Sequence, residues 1–283
     1  MRGGRASEWL MNAFLALFFL YLFLPLVVMA VATFNTSRFP TVTPWLGTTT
    51  RWFGVLFADA AMWEALVNSL IVGVAVIVVS VPIGVGAALL LDGLHSRART
   101  LLYGVMVSPL LTPGVIIGIS TLVFWDRLGV KGGLHLATIG QSSFIIAYVM
   151  LLVLARLQRF DRALEEAALD LGASHLQAFR RVLLPHLRPA ILSSSVLAFF
   201  QSFENFNTTL FTRGTDVTLT IYLATRVRTG LTPAVNALGL ILIAVTVVGA
   251  VVYEVLRRRE AAREAAARLA AEQTGQMRRL SFR

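Results

Sequence analysis

The sequence predicts an all-α membrane protein of six transmembrane helices with both termini in the cytoplasm. Three observations carry this. The 283-residue chain is 57% hydrophobic and 14% charged, against about 45–50% apolar and about 25% charged in a soluble domain. Its apolar residues gather in runs long enough to cross a bilayer, which takes about 20 residues. Its arginines crowd into alternate connecting segments, as the positive-inside bias of membrane proteins requires. Six spans and their loops use most of the length and leave no room for a second, soluble domain.

The first apolar run is Leu10 to Phe34. Arg2 and Arg5 give it a positive front end, and Ala30-Val31-Ala32 resembles a cleavage site. A signal peptide has an apolar region of only about 7–15 residues, so the longer run reads as a retained span. The second is Leu66 to Leu91. The third, Leu101 to Phe124, holds Pro109 and Pro113, and proline's missing donor predicts a kink or an irregular turn packed against protein. The fourth is Phe144 to Leu157, extending back to Leu134 if Gly140-Gln141-Ser142-Ser143 does not interrupt it. The fifth is Ala190 to Phe211 and the sixth Val235 to Leu256.

With the N-terminus inside, most of the 25 basic residues fall on the cytoplasmic side. They are Arg2 and Arg5, Arg97 and Arg99, the arginines from Arg156 to Arg188, and those from Arg257 to Arg283. The outside loops keep Arg38, Arg51, Arg127, Lys131, Arg213, Arg226 and Arg228. This places the long segment 158–188 in the cytoplasm. A net charge of +10 raises the question of nucleic acid, but basic residues beside apolar runs are explained by topology and anionic lipid. Nucleic acid is therefore no expected partner, while membrane lipid is. With no cysteine in the chain, thiol chemistry and disulfides are excluded. In the outside loop from Asn35 to Ala65, Trp45, Trp52 and Trp63 suit the membrane–water interface, which places parts of the loop on the lipid. After Tyr253 an alanine-, arginine- and glutamate-rich stretch, with Glu264 and Arg268 as an i,i+4 pair, reads as a solvated extension of the last helix.

The segment between the fourth and fifth spans reads as two short helices. The first runs from Arg162 to Leu171 and closes at Gly172; Ser174 caps the second, which stops near Pro185. Leu164, Ala168 and Leu171 share one face, as do Leu176, Phe179 and Leu183. Such a hairpin either lies on lipid or docks to a soluble partner, and amphipathicity alone does not choose. The small Ala167 and Ala168 favour docking.

Here the chain resembles a known family. Glu166-Ala167-Ala168, Gly172, Val182, Leu184 and Pro185 stand at the spacings of the signature loop of permeases from binding-protein-dependent ABC importers, with Val182 in place of isoleucine. Leu66-Val67-Asn68-Ser69-Leu70 is similar to the start of that family's transport domain. From Ser202 onward the chain resembles the second permease subunit of spermidine/putrescine transporters, at Ser202-Phe203-Glu204-Asn205, Thr218 to Tyr222 and Gly230 to Leu238. Asn205 departs from that pattern, which has a second acidic residue there.

The resemblance implies a type I importer permease in the bacterial inner membrane, with an N-terminal helix and periplasmic loop over 1–65, the permease domain over 66–256 and a basic tail over 257–283. It implies that Glu166, Ala167, Ala168, Gly172, Leu184 and Pro185 couple to an ATPase. Two ATP-binding-cassette subunits, a second and different permease subunit, and a periplasmic or lipid-anchored binding protein would complete the complex. The cargo would be a polyamine or another small solute such as an amino-acid derivative, opine or phosphonate.

The residues agree with a non-catalytic subunit that needs no cofactor. There is no Gly-x-x-x-x-Gly-Lys-Ser/Thr phosphate loop, so ATP must be hydrolysed by another chain. The four histidines are scattered over different loops, which gives no metal site. Polar groups inside spans face protein or water. Glu204, Asn205 and Asn207 are accordingly candidates for the translocation path, with a structural pairing of Glu204 as the alternative. Gly114 and Gly118 mark close helix packing. A self-contained secondary transporter would need an internal repeat or several intramembrane charges, and neither is evident.

Overall fold

The computed structural model describes residues 5–94 and 97–249, with 251–252, 254–255 and 257–258 beyond them. Among these residues the chain is helical, its only strand-like pairing being an isolated bridge between Asn35 and Thr48. It divides into two units, one from the segments before Asp59 and after Thr229, the other Asp59–Thr229.

The first unit opens with α1 (Arg5–Thr33), 29 residues long. Its most apolar stretch is not buried within the chain, as a helix facing lipid or another subunit requires. The following loop is built around Asn35. Its amide nitrogen donates to the Thr41 and Pro44 carbonyls (2.9 and 3.0 Å), and its amide oxygen accepts from the Ser37 and Leu46 N–H groups (3.2 and 3.1 Å). That uses all four of its bonding positions. Trp52, in α2 (Arg51–Phe57), donates its indole N–H to the Asn35 carbonyl at 2.8 Å and is only 7% exposed. Trp52 thus anchors the loop rather than lying on lipid, whereas Trp45 and Trp63 keep large exposed surfaces. α12 (Pro233–Gly249) belongs to the same unit. A Cβ at its Gly239 would lie 2.9 Å from Met29 Sδ, so α12 packs closely on α1. Arg2, and the tail beyond Arg258 with the Glu264–Arg268 pair, lie outside the described residues.

The second unit is organised by α3 (Ala60–Gly93). It begins two turns earlier than its apolar run because Asp59 caps it, accepting from the Met62 N–H at 3.1 Å. One face carries the small residues Gly73, Ser80, Gly84 and Ala88, all buried. They let α6 (Leu134–Leu157) and α9 (Leu184–Phe203) approach, the packing mode favoured where lipid offers helices no hydrophobic drive to associate. Val72, Val76 and Leu91 of α3 join Ile145, Val149, Met150 and Val153 of α6 and Leu187 and Ala198 of α9 in one apolar core.

The third apolar run is two helices, α4 (Arg97–Leu111) and α5 (Gly114–Asp126), bent by 103°. The break falls at Thr112-Pro113, where proline sets an extended backbone (φ −54°, ψ 133°) and offers no N–H to continue the ladder. α6 starts at Leu134, so the polar run Gly140–Ser143 does not interrupt it. Gln141 sends its polar atoms sideways to other helices, and Ser143 Oγ turns back to the Gly140 carbonyl at 2.7 Å. The fifth run is shorter than expected. α9 stops at Phe203, and α10 (Asn207–Thr212) resumes after a break at 204–206. α11 (Leu219–Thr229) precedes α12.

Among the described residues, four stretches are long and apolar enough to cross a membrane: α1, α3, α6 and the continuous run His175–Phe203. The bent pair makes a fifth if it is one span. Gly114 and Gly118 of α5 meet α10 closely: a Cβ at Gly118 would sit 2.9 Å from the Thr208 carbonyl oxygen.

Candidate functional site

The polar residues of interest lie at two ends of the Asp59–Thr229 unit. At one end, α7 (Ala163–Asp170) opens the hairpin between α6 and α9. Its closure explains one of the signature residues, Gly172. Gly172 N–H donates to the Leu169 carbonyl (2.9 Å) and Ala173 N–H to the Ala168 carbonyl (3.0 Å), with Gly172 at φ +84°. This is the paired capping pattern that needs a left-handed residue just past the helix. Ser174 then starts α8 (His175–Ala178) with a reciprocal cap, Ser174 Oγ accepting from Gln177 N–H and Gln177 Oε1 from Ser174 N–H.

The second helix does not stop near Pro185, as its sequence suggested. Residues Phe179–Leu183 form a π-helical turn that leads into α9. Pro185 follows directly on this turn, in the first turn of α9. The widened turn lies where proline has no donor for the Arg181 carbonyl. It also splits the expected apolar face. Leu183 is buried, whereas Leu176 stays exposed.

Glu166, Ala167, Gly172 and Pro185 are exposed, and Ala168 and Leu184 are partly so. Leu164 and Leu171 project outward, Leu171 at 90% exposure. Ala168, Leu171, Gly172, Gln177 and Arg181 line a shallow groove of about 330 Å³. The hairpin thus offers small residues and unpartnered leucines on a shaped surface.

At the far end, the break after α9 collects Glu204, Asn205 and Asn207. Asn205 turns inward. Its Oδ1 accepts from the Thr208 and Thr209 N–H groups (both 3.2 Å) and from Thr209 Oγ1 (3.1 Å), capping α10. Glu204 and Asn207 are exposed. No ion pair joins Glu204 to another residue among those described.

Beneath the break, Gln141 of α6 is 1% exposed and joins three helices. It donates to Thr209 Oγ1 (2.8 Å) and accepts from Ser202 Oγ (2.5 Å). Sequence reading missed Gln141 and Ser202, since residues 61 positions apart carry no local signal.

Asp59, Tyr222 and Arg226 also meet only in the folded chain. Tyr222 Oη donates to Asp59 Oδ2 at 2.7 Å, and Arg226 Nη2 lies 2.5 Å from the same oxygen. With the Leu219 N–H to Ser69 Oγ bond (2.8 Å), they fasten α11 to the start of α3. Burial raises the Asp59 pKa, but the bonds from Tyr222 and Met62 and the Arg226 charge outweigh it. Its carboxyl is therefore held below its ordinary 3.8.

A carboxyl lowered on folding contributes stability that is present above its unfolded pKa and lost as pH falls through the folded value. We expect acidification below about pH 4 to loosen α11 in the wild type, and Asp59→Asn to lack that component. Asp59→Ala also loses the cap, costing about 1 kcal/mol more than Asp59→Asn. Thermal unfolding in detergent across pH 3–6 measures both differences, and identical acid profiles for wild type and Asp59→Asn would refute the assignment.

Comparison with known proteins places this arrangement. Residues 52–261 match the model of the binding-protein-dependent transport system inner membrane component family, and the chain belongs to that family. It is an ABC importer permease subunit and a multi-pass protein of the inner membrane. The putrescine transport system permease protein PotI of Escherichia coli K12 is 34% identical over 255 residues, covering 87% of this chain and 90% of that protein. The spermidine/putrescine transport system permease protein PotC of the same organism is 29% identical over 250 residues, 88% and 94% of the two chains. These relatives are permease components. Among solved structures, a bacterial ABC transporter that imports the acidic polysaccharide alginate superposes with a TM-score of 0.68 at 18% identity, over 91% of this chain and 98% of that one. A second structure of a bacterial alginate ABC transporter, bound to a pentasaccharide-loaded periplasmic protein, gives 0.65 at 19%, over 86% and 92%. At such identities the likeness concerns the fold.

Proposed function

We propose that this chain is one of two different permease subunits of a polyamine importer, with six spans and both termini cytoplasmic. α1, α3, the α4–α5 pair, α6, the α9 run and α12 are the six. In this reading the hairpin 158–188 faces the cytoplasm and seats on one of two ATP-binding-cassette subunits through Glu166, Ala167, Ala168, Gly172, Leu184 and Pro185. ATP binding brings the ATPases together and drives the spans between inward- and outward-facing states. A periplasmic or lipid-anchored binding protein delivers cargo at the far end, where Tyr222 to Pro233 meet it.

The observation that carries the polyamine assignment is the similarity to the putrescine permease PotI over 87% of the chain. The site's chemistry supports it. Polyamines are polycations at neutral pH, and Glu204 offers an exposed carboxylate beside Asn207 on the far-end surface. The departure at Asn205 weighs little against this reading. One oxygen of an aspartate in its place could make the same three capping bonds to α10.

The test is uptake of radiolabelled putrescine by cells co-producing the binding protein, both permeases and the ATPase. We expect Glu204→Gln to lower uptake roughly tenfold, the worth of one charge-assisted hydrogen bond at about 1.5 kcal/mol, with unchanged protein level. Unaltered uptake in that variant would make Glu204 structural. Absence of putrescine uptake in the wild type, with uptake of an amino-acid derivative, opine or phosphonate, would move the assignment to that solute.

A further inference from the structure

Arg156 and His186 stand where the hairpin joins its two flanking helices. Arg156 lies in the last turn of α6 and His186 in the first turn of α9, 30 positions apart. Arg156 Nε donates to the His186 carbonyl oxygen at 3.1 Å, and His186 Nε2 meets the Arg156 carbonyl oxygen at 3.3 Å. A carbonyl can only accept, so this bond requires the imidazole to carry a proton on Nε2. The pair is reciprocal, each side chain holding the other's main chain. The Phe160 ring lies 5.1 Å from the imidazole, and Leu154, Leu157, Leu183 and Leu187 are buried in the adjoining core.

We propose that this pair is the clamp through which displacement of the hairpin reaches the α6 and α9 spans; the proposal rests on the coupling-loop reading above. The reason is mechanical. The covalent path from α8 into α9 runs through the π turn Phe179–Leu183, where the regular hydrogen-bond ladder is interrupted. The path from α6 into α7 runs through the irregular link 158–162. A second tie at this level, Arg162 to Asp92 of α3 at 2.6 Å, is 58% exposed on the arginine side and correspondingly weak. A push arriving through one link would reach only the helix which that link joins. The clamp locks the ends of α6 and α9 together, so that they respond as one piece. Arg156 and His186 are thus positioning residues and contact neither ATP nor cargo.

Isosteric variants separate the bond from the bulk. Arg156→Met keeps the apolar stem as far as the place of Nε but removes the donor. Arg156→Gln returns an amide nitrogen to the place of Nε. His186→Phe keeps an aromatic ring against Phe160 without a donor, and His186→Gln restores a nitrogen near Nε2.

The assay is ATP hydrolysis by the assembled complex in proteoliposomes, with and without its binding protein purified carrying its native ligand. We expect Arg156→Met and His186→Phe to assemble and keep basal hydrolysis, while stimulation by the binding protein falls about tenfold, the size of an ordinary coupling between sites. Both Gln variants should retain most of the stimulation. Normal stimulation in Arg156→Met overturns the proposal. So does equal loss in Met and Gln variants, which would assign the effect to charge or shape. Loss of assembly or basal hydrolysis would make the pair a structural prop. If even the wild-type complex shows no stimulation, the coupling-loop reading fails first, and that failure is distinguishable because it precedes any substitution.

Discussion

Gly172→Asp is expected to insert normally but to lose binding-protein-stimulated ATP hydrolysis. Inside this chain the substitution is cheap. A Cβ at residue 172 meets no atom within 4 Å, and the φ of +84° costs a non-glycine residue about 1–2 kcal/mol, less for aspartate, which visits that region more readily. The large effect arises at the docked surface. Gly172 lies beside Leu171 and lines the same groove, so a partner seated there would bury an unpaired carboxylate. That costs roughly 3–5 kcal/mol, more than about a hundredfold in occupancy of the docked state. Gly172→Ala, which bears the backbone strain without the charge, should keep much of the activity. Stimulated hydrolysis at the wild-type rate in Gly172→Asp would count against docking at this hairpin.

Gly84→Leu is expected to prevent accumulation of folded protein. A Cβ at residue 84 would lie 2.6 Å from Val149 Cβ, 2.7 Å from its Cγ1 and 3.0 Å from the Ile146 carbonyl oxygen. Because the first clash is with a Cβ and another with backbone, no rotamer of Val149 relieves it, and α3 must move away from α6. Overpacking a core costs typically 1–3 kcal/mol per site when side chains can adjust; here two helices must part, so the loss lies at or above the top of that range. Val149→Ala leaves its Cβ in place and should not rescue the variant. Size-exclusion profiles and thermal unfolding in detergent report the outcome. A monodisperse, normally stable Gly84→Leu protein would show that the α3–α6 contact is wrong.

The spans at α1, α3 and α6 are legible because hydropathy acts residue by residue. Long apolar runs need no partner to be recognised, and Pro109 and Pro113 announced the 103° bend through a donor that proline lacks wherever it sits. The hairpin was legible for a related reason. Its cap at Gly172 and its cap at Ser174 are local devices, closed within a few residues of themselves. The failures have a common cause. In the sequence the fifth run continues to Phe211, because Asn205, Thr208 and Thr209 are compatible with a polar-lined helix. The chain instead breaks there, as Asn205 caps a new helix and Gln141 binds Thr209. Trp52 suits lipid by its type, but in the fold its indole binds the Asn35 carbonyl, 17 positions away.

By itself, then, the sequence determined the membrane-spanning class, the arginine-rich hairpin with its two caps, and the spacing from Glu166 to Pro185 that marks the family. These depend on composition and on contacts made within a helical turn or two. Only the tertiary structure decided that α8 runs through a π turn into α9, that Asn205 turns inward while Glu204 stays exposed, and that Arg156 meets His186. It also brought Asp59 to Tyr222 and Arg226, 163 and 167 positions away. A hydrogen bond needs its partners within about 3 Å, and across such separations only the packing of helices on the small-residue face of α3 brings them to that distance.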